Sequence, residues 1–189
     1  MRGSYRHRCR SHGVVAPAGQ AGFTLVELMI TIAVLAILIA LATPSFTSVI
    51  NSNRLTAQAN NLMADLQLAR SEAVRRNRKV SVCRTTDGAA CATAVGDWDS
   101  WLVVLPGTAP EVLRSNGVKA PVELTSAVAS VEFRADGLAR NATGGLLATA
   151  FTVCLPTTHP AENVRTISLD GGSRLKAEPA TYSTPGSCP

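Results

Sequence analysis

The sequence predicts an α+β protein in which a long N-terminal helix packs on a mostly antiparallel β-domain. Three observations predict this fold. An apolar run extends from Phe23 to Thr43, apolar residues then recur at helical spacing as far as Ala73, and from Val80 short β-rich segments alternate with turn sequences. The 189 residues suffice for one ordinary domain beside such a helix.

The apolar run from Phe23 to Thr43 contains one ionisable side chain, Glu27. A helix of about 20 apolar residues crosses a hydrocarbon layer about 30 Å thick. A carboxylate within that layer costs about 2.5 kcal/mol or more unless it finds a partner, so Glu27 is a candidate functional residue. If the chain is cut after Gly22, the new amine of Phe23 lies one helical turn before Glu27 and can pair with its carboxylate.

A helical pattern continues after Pro44, where we expect a kink at the membrane exit. Apolar residues at spacings of three and four form one stripe on this second half. The helix is therefore expected from Phe23 to about Arg78, roughly 80 Å long at 1.5 Å per residue, with the domain packed on its second half. The stripe consists of Leu55, Ala59, Leu62, Met63, Leu66, Ala69, Ala73 and Val74.

Six segments after the helix have the composition of β-strands. They are residues 79–84, 98–105, 111–114, 131–134, 150–155 and 164–169. Asx-Gly and Gly-Gly pairs between them are typical of hairpin turns. From Pro179 a tail rich in Pro, Ser and Thr is expected. The large aromatic residues predicted to lie in the core are Trp98, Trp101, Phe133 and Phe151.

The net charge of +5 comes mostly from the residues before the apolar run. Residues 1–22 contain four arginines and no acid, which leaves 14 basic and 13 acidic side chains in the rest of the chain. The overall charge therefore does not by itself predict nucleic-acid binding. Positive charge before an apolar span stays in the cytoplasm, so we expect the C-terminal domain to face the periplasm.

Four cysteines follow residue 22, and an even number in an outward-facing domain indicates two disulfides. Three pairings are possible. We favour Cys83 with Cys91, which closes a short loop, and Cys154 with Cys188, which attaches the C-terminal tail to a core strand. No metal site is expected, because no Cys-x-x-Cys occurs and His159 is the only histidine after residue 22.

The segment from Gly22 to Leu28, Gly-Phe-Thr-Leu-Val-Glu-Leu, resembles the class III signal and N-terminal helix of type IV pilins and type II secretion pseudopilins. The resemblance implies that a prepilin peptidase cuts after Gly22 and methylates the amine of Phe23. It also implies that Glu27 sets the register of subunits in a helical filament, with Pro44 closing the apolar segment.

Segments in the second half of the chain resemble the GspH/FimT group of minor pseudopilins. With the N-terminal helix included, the resemblance runs over nearly all of residues 22–176. The segments that carry this resemblance are residues 66–80, 82–83, 98–101, 131–137, 151–154 and 165–169. Some FimT-type members bind DNA for natural transformation through a C-terminal segment patterned Gly-Arg-x-Arg. The resemblance implies possible DNA contacts by Arg165, Arg174 and Lys176, although either serine replaces the first arginine of the pattern or the register has slipped, and lysine stands where the last arginine would be.

A second basic cluster surrounds the end of the helix, and its positive charges complement the negative C-terminus of the helix dipole. Its members are Arg70, Arg75, Arg76, Arg78, Lys79 and Arg84. We interpret it as a solvated helix end. Phosphate binding is the alternative, because clustered basic side chains can neutralise phosphates. No enzyme motif occurs: there is no Gly-x-Ser-x-Gly and no Gly-rich phosphate loop. We predict no catalysis and no cofactor.

These inferences predict four segments: a cleaved leader (1–22), a transmembrane and filament-core helix (23–43), a periplasmic amphipathic part of the helix (44–79) and a periplasmic β-rich domain (80–189). The predicted protein is a minor pilin or pseudopilin, anchored in the inner membrane and near the tip of a filament. Other pilins, the prepilin peptidase and the inner membrane are its expected partners. The filament is expected to be either a type II secretion pseudopilus or a type IV pilus. The alternative function is that of a FimT-like minor pilin that binds DNA for natural transformation.

Overall fold

The computed structural model describes residues 22–141 and 143–189, and residues 1–21 of the predicted leader lie outside them. The chain divides into two compact units, one ending at Ala40 and the other extending from Leu41 to Pro189. The first unit is described as the start of helix α1 (Leu25–Arg76). The second contains the rest of α1 and all of the β-strands.

Helix α1 begins and ends with recognisable caps. Thr24 precedes its first residue, and the Thr24 hydroxyl accepts a hydrogen bond from the backbone N–H of Glu27 at 3.2 Å, as an N-cap does. At the other end Asn77 has a φ of 50°. The N–H groups of Asn77 and Arg78 donate hydrogen bonds to the carbonyls of Val74 and Ala73, respectively. These two bonds form a Schellman motif, which gives the carbonyls of the last turn their partners. The helix passes through position 44, and the kink expected there stays a prediction.

The predicted apolar stripe packs on the domain, with one exception. Six of its members are buried: Leu55, Ala59, Leu62, Leu66, Ala69 and Ala73. Met63 is half-buried beside them. Val74 is 53% exposed, so its assignment to the stripe was wrong. It follows Ala73 directly, and consecutive residues of a helix point in directions about 100° apart.

Within the described residues, nine strands form two antiparallel sheets. The first has the order β3-β2-β1-β5-β6 and the second β4-β7-β8-β9. The strands are β1 (Val80–Thr85), β2 (Ser100–Leu105), β3 (Glu111–Gly117), β4 (Glu123–Ser126), β5 (Ser130–Phe133), β6 (Ala139–Arg140), β7 (Thr149–Cys154), β8 (Val164–Leu169) and β9 (Leu175–Ala180).

Strands β4, β6 and β9 were not predicted. Strand β9 includes the start of the expected tail, and Pro179 lies on it opposite Arg165 of β8. Proline is tolerated there because β9 is the edge of its sheet. The irregular tail therefore begins after Ala180, not at Pro179.

One hydrophobic core joins the helix stripe to both sheets. The four aromatic residues predicted to be core are all fully buried, namely Trp98, Trp101, Phe133 and Phe151. The rings of Trp98 and Phe151 meet edge to face, with centroids 4.9 Å apart. A small second cluster of Cys83, Leu102 and Val104 is separate from this core.

The structure contains the disulfides Cys83–Cys91 and Cys154–Cys188, with Cα–Cα distances of 5.4 and 5.7 Å. The first closes the loop that follows β1. The second attaches the C-terminal tail to β7, and Asn163 supports the same attachment by donating a hydrogen bond to the carbonyl of Ser187 at 2.9 Å.

Candidate functional site

The start of α1 combines the features on which the assembly prediction depends. Thr24 and Glu27 occupy the first and last positions of a capping-box sequence, Thr-x-x-Glu, so the helix starts two residues after Phe23. Glu27 also lies in the first turn, where the positive end of the helix dipole stabilises a negative charge. A cut after Gly22 would thus leave a chain that becomes helical almost at once.

The apolar side chains of this first unit are exposed along its whole described length, residues 22–40. Leu25 is 73% exposed and Ile37 62%. By length and composition α1 is one helix that could cross a membrane, and its apolar window is not buried by any part of the described chain. A continuous exposed apolar surface of this kind marks an interface with lipid or protein.

The Glu27 carboxylate has no hydrogen bond or ion pair with any residue in 22–141 or 143–189. Its side chain is exposed. The partner that the sequence predicts, the amine of Phe23, exists only after a cut that this chain has not undergone. The roles of Gly22, Phe23, Glu27 and Pro44 in processing and assembly stay predictions.

The basic cluster at the end of α1 is largely paired. Glu72 accepts hydrogen bonds from Arg75 and Arg76 at 2.6 and 2.7 Å, and these two guanidinium groups lower the pKa of the Glu72 carboxyl. Arg76 also reaches Glu111 at 3.2 Å. Lys79 pairs with Glu132 at 3.3 Å. The contacts favour the helix-end interpretation over a free phosphate-binding surface.

Two other basic residues of this cluster, Arg84 and Arg70, hold backbone segments. Arg84 donates to the carbonyls of Asp97 and Ala94 at 2.8 and 3.0 Å, and so orders the loop before β2. Arg70 donates to the carbonyl of Ser173 at 3.0 Å. Both side chains therefore have a structural function.

Ser173, which replaces the first arginine of the DNA-binding pattern, lies in the turn between β8 and β9 and is 1% exposed. Its hydroxyl accepts a hydrogen bond from the N–H of Ala139 at 2.6 Å, and its carbonyl accepts from Arg70. Its φ of 57° lies in the left-handed region. The residue joins the β8–β9 turn to β6 and to α1, so no side chain at this position faces a ligand in solution.

The three predicted DNA contacts do not form a free basic patch. The guanidinium of Arg165 donates to the carbonyls of Glu162 and Val164 and to the hydroxyl of Ser52, at 2.9 to 3.1 Å. Lys176 pairs with Glu178 at 2.7 Å. Arg174 is exposed immediately before β9.

A residue that the sequence analysis missed is Asp65, on the buried side of α1 and 0% exposed. Its carboxylate accepts hydrogen bonds from Trp101 Nε1 at 2.8 Å, Asn116 Nδ2 at 2.7 Å and Arg114 Nη1 at 2.9 Å. These donors come from β2 and β3, so Asp65 fastens the helix to the first sheet. The available signal was a carboxylate between Leu62 and Ala69 at stripe spacing, because a buried charge requires partners.

Comparison with known protein families identifies the domain. Residues 58–173 match the model of the type II transport protein GspH. The chain belongs to the GspH family. A second model, the prokaryotic N-terminal methylation motif, matches residues 17–43. The two matches include residues 25–43 and 58–76 of helix α1.

Two solved structures of the type IV minor pilin FimU from Pseudomonas aeruginosa share the fold of this GspH-family chain. One has 23% sequence identity and a TM-score of 0.52, and covers 70% of this chain and 96% of that chain. The other, in a second crystal form, has 22% identity and a TM-score of 0.50, and covers 69% and 98%. At these identities the likeness shows the fold alone.

The minor pseudopilin EpsH of the Type 2 Secretion System of Vibrio cholerae is a more distant match. It has 9% identity and a TM-score of 0.49, with 67% of this chain and 97% of that chain covered. This likeness is too weak to carry an argument. No curated protein sequence matches the chain. The pilin-like α+β architecture predicted from the sequence is confirmed by the fold shared with FimU.

Proposed function

We propose that this chain is a minor pilin or pseudopilin, a structural subunit of a type II secretion pseudopilus or a type IV pilus. One observation carries the proposal: α1 begins as a capped apolar helix that nothing in the described chain covers, and continues as the core helix of a GspH-type domain. A helix of this composition needs a lipid or protein environment. A membrane supplies it before assembly and a bundle of like helices supplies it afterwards.

Processing after Gly22 by a prepilin peptidase, with methylation of Phe23, is part of the proposal. The methylation motif over residues 17–43 supports it. A Cβ atom placed on Gly22 would meet nothing within 4 Å, so the fold itself does not require glycine there. We infer that the requirement comes from recognition by the peptidase.

The proposed location follows from the same features. Residues 1–22 form the leader, 23–43 the span in the inner membrane and later the filament core, 44–79 the periplasmic part of the helix, and 80–189 the periplasmic domain. Both disulfides lie in this last segment, and disulfides persist in an oxidising compartment such as the periplasm. A position near the filament tip belongs to the proposal through the group of minor pseudopilins that the sequence resembles.

DNA uptake is the less favoured function. Two of the three candidate contacts, Arg165 and Lys176, already bond within the domain, and the position of the first arginine holds the buried Ser173. A pilin that bound DNA through this hairpin would have to break these contacts. We propose a structural role, without catalysis or a cofactor.

The test is incorporation of the full-length protein into sheared surface filaments. We expect Glu27→Ala to be cut normally but recovered in the filament fraction several-fold less than wild type, because the carboxylate no longer pairs with the Phe23 amine. Glu123→Ala, which removes an exposed acid of β4, is the matched control and should incorporate normally. Full incorporation of the Glu27→Ala protein would contradict the pairing. The identity of the major subunit that copurifies shows whether the filament is a type II secretion pseudopilus or a type IV pilus.

A further inference from the structure

A cleft of about 320 Å³ lies between α1 and the segment that joins β3 to β4. Four polar side chains line it: Arg54, Gln58 and Asn61 from the helix, and Lys119 from the joining segment. Among the residues that the structure describes, none that lines the cleft is acidic. It therefore concentrates positive charge and amide groups at one place on the domain.

The two cations of this cleft differ from most others on the domain. Arg76, Lys79 and Arg114 each pair with a carboxylate. The side chains of Arg54 and Lys119 have no hydrogen bond or ion pair within the part of the chain that the structure describes, and both residues are exposed. Two unpaired cations beside one cavity favour an anion at that point.

The cleft also has a fixed wall. Gln58 is 5% exposed, and its amide Nε2 lies 3.4 Å from the carbonyl of Gly117 in β3. Val122, 7% exposed, adds an apolar surface. A carboxylate entering here would lose part of its water and gain charge-assisted hydrogen bonds, which are stronger than neutral ones.

An apolar helix face leads into the cleft. Phe46 and Ile50 are 68% and 51% exposed, and they precede Arg54 at successive spacings of four residues, on one face of the helix. Val49, 56% exposed, lies beside them. A protein segment with an apolar stripe and an acidic side chain complements this surface. A phosphate polymer does not, because it offers nothing to bury Phe46 and Ile50.

We propose that this cleft binds the carboxylate of an Asp or Glu side chain on a neighbouring filament subunit. The inference rests on the proposed function and adds to it the partner chemistry of a specific site. Opposite charges at a defined point fix the register of two docked surfaces. Arg54 and Lys119 select a partner whose helix or loop places an acid opposite the cleft, while Phe46 and Ile50 supply buried apolar area.

The first experiment compares full-length variants in cells that make the filament. Arg54→Gln with Lys119→Gln removes both charges of the cleft. Arg134→Gln with Arg174→Gln removes the same charge from exposed positions elsewhere. We expect all proteins to be processed and to unfold at the same temperature, and only the cleft variant to be several-fold depleted from sheared filaments. Arg54→Lys with wild-type Lys119 keeps both positive charges and should be incorporated like wild type.

A photo-crosslinking residue in place of the exposed Ala57 identifies the partner. We expect a crosslink to a filament subunit, at a segment that contains an acid. The reversal Arg54→Glu with Lys119→Glu should lose the crosslink, and a lysine in place of the partner's acid should restore it. A crosslink to a segment without acids, to nucleic acid, or to nothing would overturn the inference.

The proposed subunit function and the carboxylate site can be contradicted separately. If wild type is absent from the filament fraction, the proposed function fails and this inference with it. If wild type is present and the cleft variant is incorporated equally well, the subunit function stands and the carboxylate site is wrong.

Discussion

The two ends of helix α1 use apolar residues in opposite ways. From Leu25 to Ala40 the side chains are exposed, whereas from residue 51 to the end of the helix an apolar stripe is buried against the domain. The acids of these regions differ in the same way: Asp65 has three donors, and Glu27 has none within the described chain. The fold of this chain explains the second region only. The first region is explained by a lipid or protein environment that the described part of the chain does not provide.

Hydrogen bonds repeat this contrast. In the second region Asn51, Gln58 and Arg70 reach the backbone of His159, Gly117 and Ser173, more than fifty residues away in each case. In the first region Thr24 and Thr31 bond within the helix itself. Substitutions should therefore affect folding in the second region and assembly in the first.

The largest effect on folding is expected for Leu66→Ala. Leu66 is fully buried, and the cavity left by the change should lower the free energy of unfolding by about 3 to 5 kcal/mol. The matched control is Leu35→Ala in the first region, where Leu35 is 55% exposed. Denaturant unfolding followed by tryptophan fluorescence should show a lower midpoint for Leu66→Ala alone. An equal loss in both variants would break the comparison.

The disulfide of the tail is expected to come next. Cys154→Ser with Cys188→Ser opens a loop of 34 residues and should cost about 3 to 4 kcal/mol on the loop-entropy model. Cys83→Ser with Cys91→Ser, at a separation of 8 residues, should cost about 2 to 3 kcal/mol. Urea unfolding of the two double variants measures both values, and a larger loss for the short loop would contradict this order.

Asp65→Asn should cost about 1 to 3 kcal/mol, because an amide cannot accept all three hydrogen bonds and leaves a buried donor unsatisfied. The control, Glu178→Gln, breaks the ion pair of Lys176 with Glu178, whose side chains are 65% and 58% exposed, because exposed ion pairs contribute little. Both variants should be processed like wild type. An unchanged unfolding midpoint for Asp65→Asn would show that Asp65 does not fasten the helix to the sheet.

The smallest effect concerns pH and the loop after β1. Hydrogen bonds from the N–H groups of Ala90 and Ala89 and from the Thr85 hydroxyl lower the pKa of Asp87 from 3.8 to about 2. Because the pKa is depressed in the folded state, the stabilisation is complete above pH 3.8 and is lost as the pH falls towards 2. The stability difference between wild type and Asp87→Asn should shrink across that range.

An NMR titration of the Asp87 carboxyl group measures this pKa directly. We expect a midpoint near 2, and a midpoint near 3.8 would contradict the hydrogen-bonded loop.

Sequence patterns predicted the parts of the fold in which each residue follows a local period. The stripe from Leu55 to Ala73 and the four core aromatics depend on spacing and hydrophobicity, and the structure buries all of them except Met63, which is half-buried. Strand β9 escaped prediction because its residues, Leu-Lys-Ala-Glu-Pro-Ala, have low strand propensity. It forms by pairing with β8, a non-local contact that no local window contains.

The candidate functional residues differ in the same way, because local sequence indicates some of them and not others. The segment from Gly22 to Glu27 is a contiguous motif, so sequence alone indicates it. Asp65 and the cleft of Arg54 and Lys119 require residues that are distant in sequence to meet. From the sequence, Ser173 was only a departure from the DNA-binding pattern, whereas in the structure its hydroxyl accepts a hydrogen bond from the N–H of Ala139, 34 residues away.

The most direct test of the account is the mass of the N-terminal peptide of the protein recovered from sheared filaments. We predict a peptide that begins at Phe23 with one methyl group on its amine, and an uncut precursor that stays in the membrane when Gly22 is replaced by valine. A filament-associated protein that keeps residues 1–22 would contradict the account. So would a processed protein that never leaves the membrane fraction.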